Sequence, residues 1–362
     1  MSSAALTRID GAAQALAGKF TPRMLAESVS ALSRVYTRDR GQLGQLDKSS
    51  LLARAGFFFP RDLAKVFGPL DELLHSGAFP AGETLRVLDL GAGMGATSFG
   101  LARWLRARAQ PVNQLRVVAL EQNASALRGF NAFAKALHGL DELVPVDLDA
   151  RAEDLRSLRN EHGFQLVLFG FVLNELFADA DDRVARRAKL VREAYEQLSP
   201  DGALIILEPA LKETTRELMQ LRDALVDLPI VAPCLHGQGC PMLTAERDWC
   251  HQELPYALPP ALAEVAQAAS LRWEGLSYSS LVLSRKAPTR EPGLWRVVSD
   301  RLATKGKLEL YGCGQGEYTR FTQLNRKATP ENHAFTHAER SDILRIEGGG
   351  PRIEAETKVE RL

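Results

Sequence analysis

The chain has 362 residues, of which 45% are apolar and 25% charged, the balance of a globular protein with core enough for more than one domain. Its 45 Lys and Arg equal its 45 Asp and Glu, so no global field draws it to a polyanion. No run approaches the roughly 18 consecutive apolar residues of a membrane span, so no membrane is expected as a partner.

Residues 1–82 read as an N-terminal helical region, with apolar positions at helical spacing in "AAQALAGKF", "RMLAESVSALSRVY" and "DLAKVFGPLDELL". This opening stretch lacks a secretory apolar block. Bacterial cytoplasm is the expected location, with the mitochondrial matrix as the alternative because the first forty residues are rich in Ala, Ser and Arg. Pro80 and Gly82 then punctuate the chain. Five strand-then-helix units follow, beginning at "TLRVLDLGAGMGATSFGLARWLRARA" and ending at "GALIILEPALKETTRELMQLRDAL". That rhythm predicts a doubly wound, Rossmann-like α/β domain over residues 83–287. "LRWEGLSYSSLVLSRK" reads as a closing pair of strands, and residues 229–256 as a cysteine-rich insertion at the sheet's edge. Short alternating strands predict a small β appendage over 288–328, and 329–362 reads as a flexible tail.

In "VLDLGAGMGATS" an acid, Asp89, ends a strand before Gly91, Gly93 and Gly95. Glycine at such a turn removes the Cβ that would block a ligand from the backbone. A carboxylate there disfavours a pyrophosphate and favours a cationic ligand. The D-x-G-x-G-x-G pattern resembles the loop that binds S-adenosylmethionine (SAM), which makes the domain a SAM-dependent methyltransferase fold. Glu121, at the end of the second strand, is placed to accept from both ribose hydroxyls. Asp149, or else Asp147, is placed to accept from the adenine amino group. The fourth strand runs into "LFGFVLNELF" and has no Asn/Asp-Pro-Pro-aromatic turn of the kind that holds a flipped base. Asn174 and Glu175 there read as the first turn of a helix in preference to the mouth of the site, and no general base is assigned.

Three of the four cysteines, Cys234, Cys240 and Cys250, crowd into "PCLHGQGCPMLTAERDWC"; the fourth is Cys313. The spacing is not that of a zinc ribbon nor the tight run of a bacterial ferredoxin. Pro and Gly make a loop able to wrap something compact, and His236 and His251 offer nitrogen ligands for a Cys₃His zinc site. Buried, unliganded thiols are the other reading.

"PCLHGQGCP" and "DWCH", downstream of the methyltransferase pattern and upstream of "YGCGQGEYTRFTQLNR", resemble the methyltransferase-like small-ribosomal-subunit assembly family of mitochondria and bacteria. The likeness runs from about Leu51 to Arg326 and includes "ARAGFFFPRDLAKVFGPLDELL". It implies that Cys234, Cys240, Cys250 and Cys313 hold a [4Fe–4S] cluster, in a structural or iron-sensing role. It implies the small ribosomal subunit and its rRNA as partner, with rRNA methylation, subunit assembly or both as function. Residues 285–327 carry 10 basic and 4 acidic side chains, against 22 and 30 in residues 55–284. The expected rRNA contacts are therefore Arg296, Arg301, Lys305, Lys307, Arg320, Arg326 and Lys327, together with the N-terminal helices. The rival readings are a non-catalytic assembly factor that keeps its SAM site and a small-molecule methyltransferase with structural zinc.

Overall fold

The computed structural model describes residues 1–38 and 47–362; the part of the expected helical region at 39–46 lies outside them. Helices α1 (Ser3–Ala17), α2 (Pro22–Arg38) and α3 (Lys48–Ala53) come first. Ser2 and Asp47 cap the N-termini of α1 and α3, each accepting from a backbone N–H of the first turn. A π-helical turn at Arg54–Phe58 leads into α4 (Phe59–Asp62), and α5 (Phe67–His75) follows.

The alternation expected from the sequence then forms, except in its third unit, as β1 (Thr84–Leu90), α6 (Ala96–Ala107), β2 (Gln114–Leu120), α7 (Ala124–Leu137), β3 (Val146–Arg151), β4 (Phe164–Gly170), α8 (Arg183–Glu196), β5 (Leu198–Glu208) and α9 (Lys212–Ala224); no helix follows β3, and 152–163 are turns and irregular chain. Next come β6 (Ile230–Ala232), β7 (Gln252–Ala257), α10 (Pro260–Ala268) and β8 (Glu274–Ser284). The strands lie in the order β3-β2-β1-β4-β5-β8-β6, with β7 also paired to β8. The first five are parallel, while β8 runs antiparallel to both β5 and β6. This is the expected doubly wound sheet. The order reverses between β1 and β4, which opens a crevice at the carboxyl ends of these strands. One face buries Phe99, Trp104, Phe130 and Phe133 of α6 and α7 beneath α1, α4 and α5. The other face buries Leu190, Val191, Leu218 and Leu221 of α8 and α9. The expected closing pair of strands is instead the single long strand β8, whose residues Tyr278–Ser284 are buried almost throughout.

A second sheet closes the chain. It comprises β9 (Leu294–Val297), β10 (Leu302–Thr304), β11 (Lys307–Gly314), β12 (Glu317–Leu324), β13 (Ile343–Glu347), β14 (Arg352–Ile353) and β15 (Lys358–Arg361), with the short helix α11 (His333–His337). The segment from residue 329, expected to be a flexible tail, is folded into this sheet. Phe335, Leu344, Ile353 and Val359 are buried in its core, and the buried Asn332 side chain bonds the carbonyls of Lys327 and Glu354. Its polar composition hid widely spaced apolar anchors, each paired with a strand far away in the chain.

The two sheets meet around Arg296. Its Nε donates to the Pro233 carbonyl at 2.6 Å, Nη1 to the Ser341 carbonyl at 3.0 Å and Nη2 to Glu72 at 2.5 Å. No helix among the described residues is long and apolar enough to cross a membrane.

Candidate SAM cavity and thiol seam

Asp89 ends β1 almost fully buried. One carboxylate oxygen accepts from the Ser98 hydroxyl at 2.6 Å, while the other is buried with no partner. Burial pushes its pKa up to about 7, with the Ser98 hydrogen bond acting in the opposite direction. The chain turns into α6 through Gly91, Gly93 and Gly95, all in the left-handed region. At Gly95 a Cβ would stand 2.3 Å from the Phe130 ring, whereas at Gly93 it would meet nothing within 4 Å. Gly95 is therefore required by packing, and Gly93 keeps the backbone open to the cavity. The Gly93 N–H donates to Glu121 at 3.1 Å, and Glu121 also accepts from the Asn123 N–H at 2.8 Å. The strand-end acid is thus locked beside the glycine turn with lone pairs to spare.

Two adjoining cavities share Gly91, Glu121, Val172 and Glu175. One, of about 450 Å³, is bounded by the glycine turn, by Phe171, Asn174 and Glu175 after β4, and by Tyr36, Arg54, Phe58, Arg61 and Lys65 of the N-terminal helices. The other, of about 530 Å³, lies towards Gln122, Asp154, Leu155 and Phe177. Both volumes are in the range of small-molecule sites. Asn174 donates its N–H to Glu208 at 3.3 Å. Burial raises Glu175 to about 7 and Glu208 to about 8, so both carboxyls hold protons near neutrality.

Elsewhere, Cys234, Cys240 and Cys250, between β6 and β7, face Cys313 of β11 across the seam between the sheets. Burial raises the Cys250 thiol well above its ordinary range, and the other three thiols are near enough to raise it further. Cys240 is pushed up to about 11 and Cys313 to about 12, burial again being the main cause. Met219, Met242 and Val298 pack around them. Cys313 Sγ lies 4.0 Å from His236 Nε2, and the other ring nitrogen of His236 is buried without a partner. Arg222, 3% exposed, donates to the His236 carbonyl and to Asp223, which in turn accepts from the Cys240 N–H. Among the described residues, no group of three or more His, Cys, Asp or Glu stands close enough to hold a single metal ion.

The family model described as mitochondrial small ribosomal subunit Rsm22 matches residues 60–342. The chain belongs to the Rsm22 family. No curated protein matches it significantly. Among solved structures it is similar to magnesium protoporphyrin IX methyltransferase from Synechocystis PCC 6803, at 15% identity over 71% of this chain and 97% of that one, with a TM-score of 0.37. It is also similar to an S-adenosylmethionine-dependent O-methyltransferase from Thermotoga maritima, at 14% identity over 64% and 73% of the two chains, TM-score 0.35. A third is a putative class I S-adenosylmethionine-dependent methyltransferase from Listeria monocytogenes, at 12% identity over 80% and 90%, TM-score 0.37.

In this Rsm22-family chain Asp89, the glycines and Glu121 come together, but Asp149 does not join them. It sits within β3, exposed and paired with Arg151 at 2.6 Å. Asp147 is also on the exposed face of that strand. Strand alternation turns both carboxylates away, and of the acids in and just after β3 it is Asp154, in the loop beyond, that lines a cavity. Asn174 and Glu175, read from sequence as a helix start, lie in turns at the cavity wall. The basic set also divides. Arg296 is buried between the sheets and unavailable to a partner. Lys307 and Arg320 pair with Glu309, and Lys327 with Glu354, whereas Arg301, Lys305 and Arg326 are exposed without an ion pair among the described residues. The cavity's helical wall was not anticipated. Its signal is the interleaving of cations with aromatics in "RAGFFFPRDLAK".

Proposed function

We propose that the chain is a SAM-binding, methyltransferase-like protein that acts on the small ribosomal subunit through its rRNA. The observation that carries the cofactor reading is Asp89: a buried carboxylate oxygen without a partner, beside a glycine turn with an open backbone, suits a cationic amino-acid end. Glu121 would take the ribose hydroxyls and Asp154 the adenine amino group. When bound, SAM supplies a methyl group on a sulfonium. The chain's own residues hold and orient the ligand by the ends of β1, β2 and β4 and exclude water with the helical wall.

Family membership carries the ribosomal reading, since its description names the mitochondrial small ribosomal subunit. That description favours the matrix alternative for location. Of the cations expected to contact rRNA, Arg301, Lys305 and Arg326 are the ones left exposed and without an ion pair among the described residues.

The four cysteines would hold a [4Fe–4S] cluster, which ties the two sheets together. The fit is in the donor set: three thiols of one loop and a fourth from β11 lie near enough across the seam to raise the Cys250 thiol together. Arg222 and Arg296 nearby oppose the negative charge of four thiolates.

The test has two parts. Anaerobic purification followed by iron, sulfide and zinc analysis should find about four irons per chain; one zinc and no iron sinks the cluster. Incubating small subunits with methyl-labelled SAM then separates the two roles. Label in rRNA makes the protein a methyltransferase, and SAM binding without transfer makes it an assembly factor with a retained site.

A further inference from the structure

The motif "RAGFFFPRDLAK" holds three cations, and Arg54, Arg61 and Lys65 all line the cavity of about 450 Å³ beside the glycine turn. Arg54 begins the π-helical turn, a local distortion that recurs at functional sites. Its guanidinium lies over the Tyr36 ring at 5.5 Å. Among the described residues it has no ion pair or side-chain hydrogen bond, and its Nε is buried without an acceptor. The Arg61 Nε is likewise unpartnered, its group lying over Phe57 and Phe58. Lys65, 6% exposed, stands over the Phe171 ring at 4.6 Å.

One carboxylate, Asp62, serves two of these cations, at 3.0 Å from Lys65 and 3.6 Å from Arg61. Glu175, the other acid near Arg54, is held partly protonated by burial. Burial also drags Lys65 down to about 8 despite Asp62. Positive charge therefore exceeds negative charge on this wall, and a half-buried guanidinium without a counter-charge is costly unless a ligand provides one. The aromatic faces hold the cations in place, so an anion binds without ordering them first.

We propose that Arg54, backed by Arg61 and Lys65, is a seat for an anionic group of the ligand in this cavity, a carboxylate or a phosphate. The carboxylate would come from the amino-acid end of SAM and so rests on the cofactor reading above. The phosphate would come from an acceptor nucleotide and does not.

The test is calorimetric titration of the full chain and of Arg54→Met with four probes: S-adenosylhomocysteine, 5′-methylthioadenosine, inorganic phosphate and cytidine 5′-monophosphate. Methylthioadenosine lacks the amino-acid end. A ten- to hundredfold loss for S-adenosylhomocysteine with methylthioadenosine unchanged, of the order expected for a charge-assisted hydrogen bond, establishes the carboxylate seat. Unchanged S-adenosylhomocysteine with lost phosphate and cytidylate binding establishes the phosphate seat. If no probe responds to the substitution, the seat is overturned. Equal losses for S-adenosylhomocysteine and methylthioadenosine, not rescued by Arg54→Lys, make Arg54 merely structural and also overturn it. If neither adenosyl probe binds the wild type, the SAM reading fails, and the phosphate and cytidylate titrations alone decide the seat: loss upholds it, no change rejects it. Arg54→Lys keeps the charge and serves in comparison if Arg54→Met does not fold.

Discussion

The glycine-turn cavity and the thiol seam are assembled on different scales. At the turn, Asp89, Gly91, Gly93 and Gly95 belong to one strand-turn-helix unit, and Glu121 reaches them from the adjacent parallel strand. At the seam, three thiols from one loop meet a fourth from a strand of another sheet, 63 residues beyond Cys250. The cavity is held by backbone geometry and hydrogen bonds, so each residue has a separable role. The seam is hydrogen-bonded as well, through Arg216, Arg222 and Arg296, but it forms only when a long loop is closed. Damage should accordingly be graded at the cavity and all-or-none at the seam.

The largest effect is expected at the seam. With the proposed cluster in place, Cys313→Ser should lose iron and about 4 kcal/mol or more of stability, as for loss of a structural metal; iron content and urea denaturation measure both. A variant that keeps its iron would detach Cys313 from the other three thiols. Phe335→Ala should cost about 3–5 kcal/mol and loosen the second sheet, read by hydrogen exchange of β13 and β15. A melting curve like the wild type's would return the last segment to the status of a tail.

The cavity should break in smaller steps. Gly95→Ala is expected to cost about 3 kcal/mol, from a left-handed residue forced to carry a Cβ against Phe130. Gly93→Ala has the same backbone penalty of about 1–2 kcal/mol without the clash, yet should weaken S-adenosylhomocysteine at least about tenfold because its Cβ enters the cavity. Equal stability loss in the two variants would contradict the packing distinction drawn between them.

Asp89 also makes the cavity pH-dependent. Its folded pKa of about 7 lies above its ordinary 3.8. Between these values the folded state keeps a proton that the unfolded chain has released, so stability of the unliganded protein falls as pH rises through that window. Glu175 and Glu208 act in the same direction. Affinity for cationic SAM should rise as pH approaches 7, because binding favours the ionised carboxylate. Asp89→Asn should remove the steepest part of both profiles, and unchanged profiles would mean Asp89 does not titrate there.

The smallest contrast separates two acids near β3. Asp154→Ala should weaken S-adenosylhomocysteine about tenfold. Asp149→Ala should leave binding unchanged and cost no more than about 0.5 kcal/mol, since only an exposed pair with Arg151 is lost. The reverse result would return the adenine contact to β3.

Much of the first sheet was legible because its signals are local. A short aliphatic run, a glycine turn and an amphipathic helix are recognisable wherever they occur, and an acid at a strand end has only one place to go. Asp149 misled because an alternating strand offers two faces, and which one meets the crevice depends on pairing with β2. Asn174 and Glu175 were ambiguous because a strand's exit and a helix's entry use the same polar residues. The folded end of the chain escaped notice because each of its strands is too short to show a period.

The sequence alone determined the strands and most of the helices of the parallel part of the first sheet, the glycine turn with its acid and the presence of a cysteine-rich loop, since periodicity, turn chemistry and spacing act over a few neighbouring residues. Only the tertiary structure decided that Arg54 and Lys65 wall the cavity, that Asp154 lines it while Asp149 faces away, that Arg296 is buried in the junction and that Cys313 meets the other thiols. Those meetings join residues tens to hundreds of positions apart, and they follow from how whole elements bury their apolar faces against one another, which no local pattern encodes.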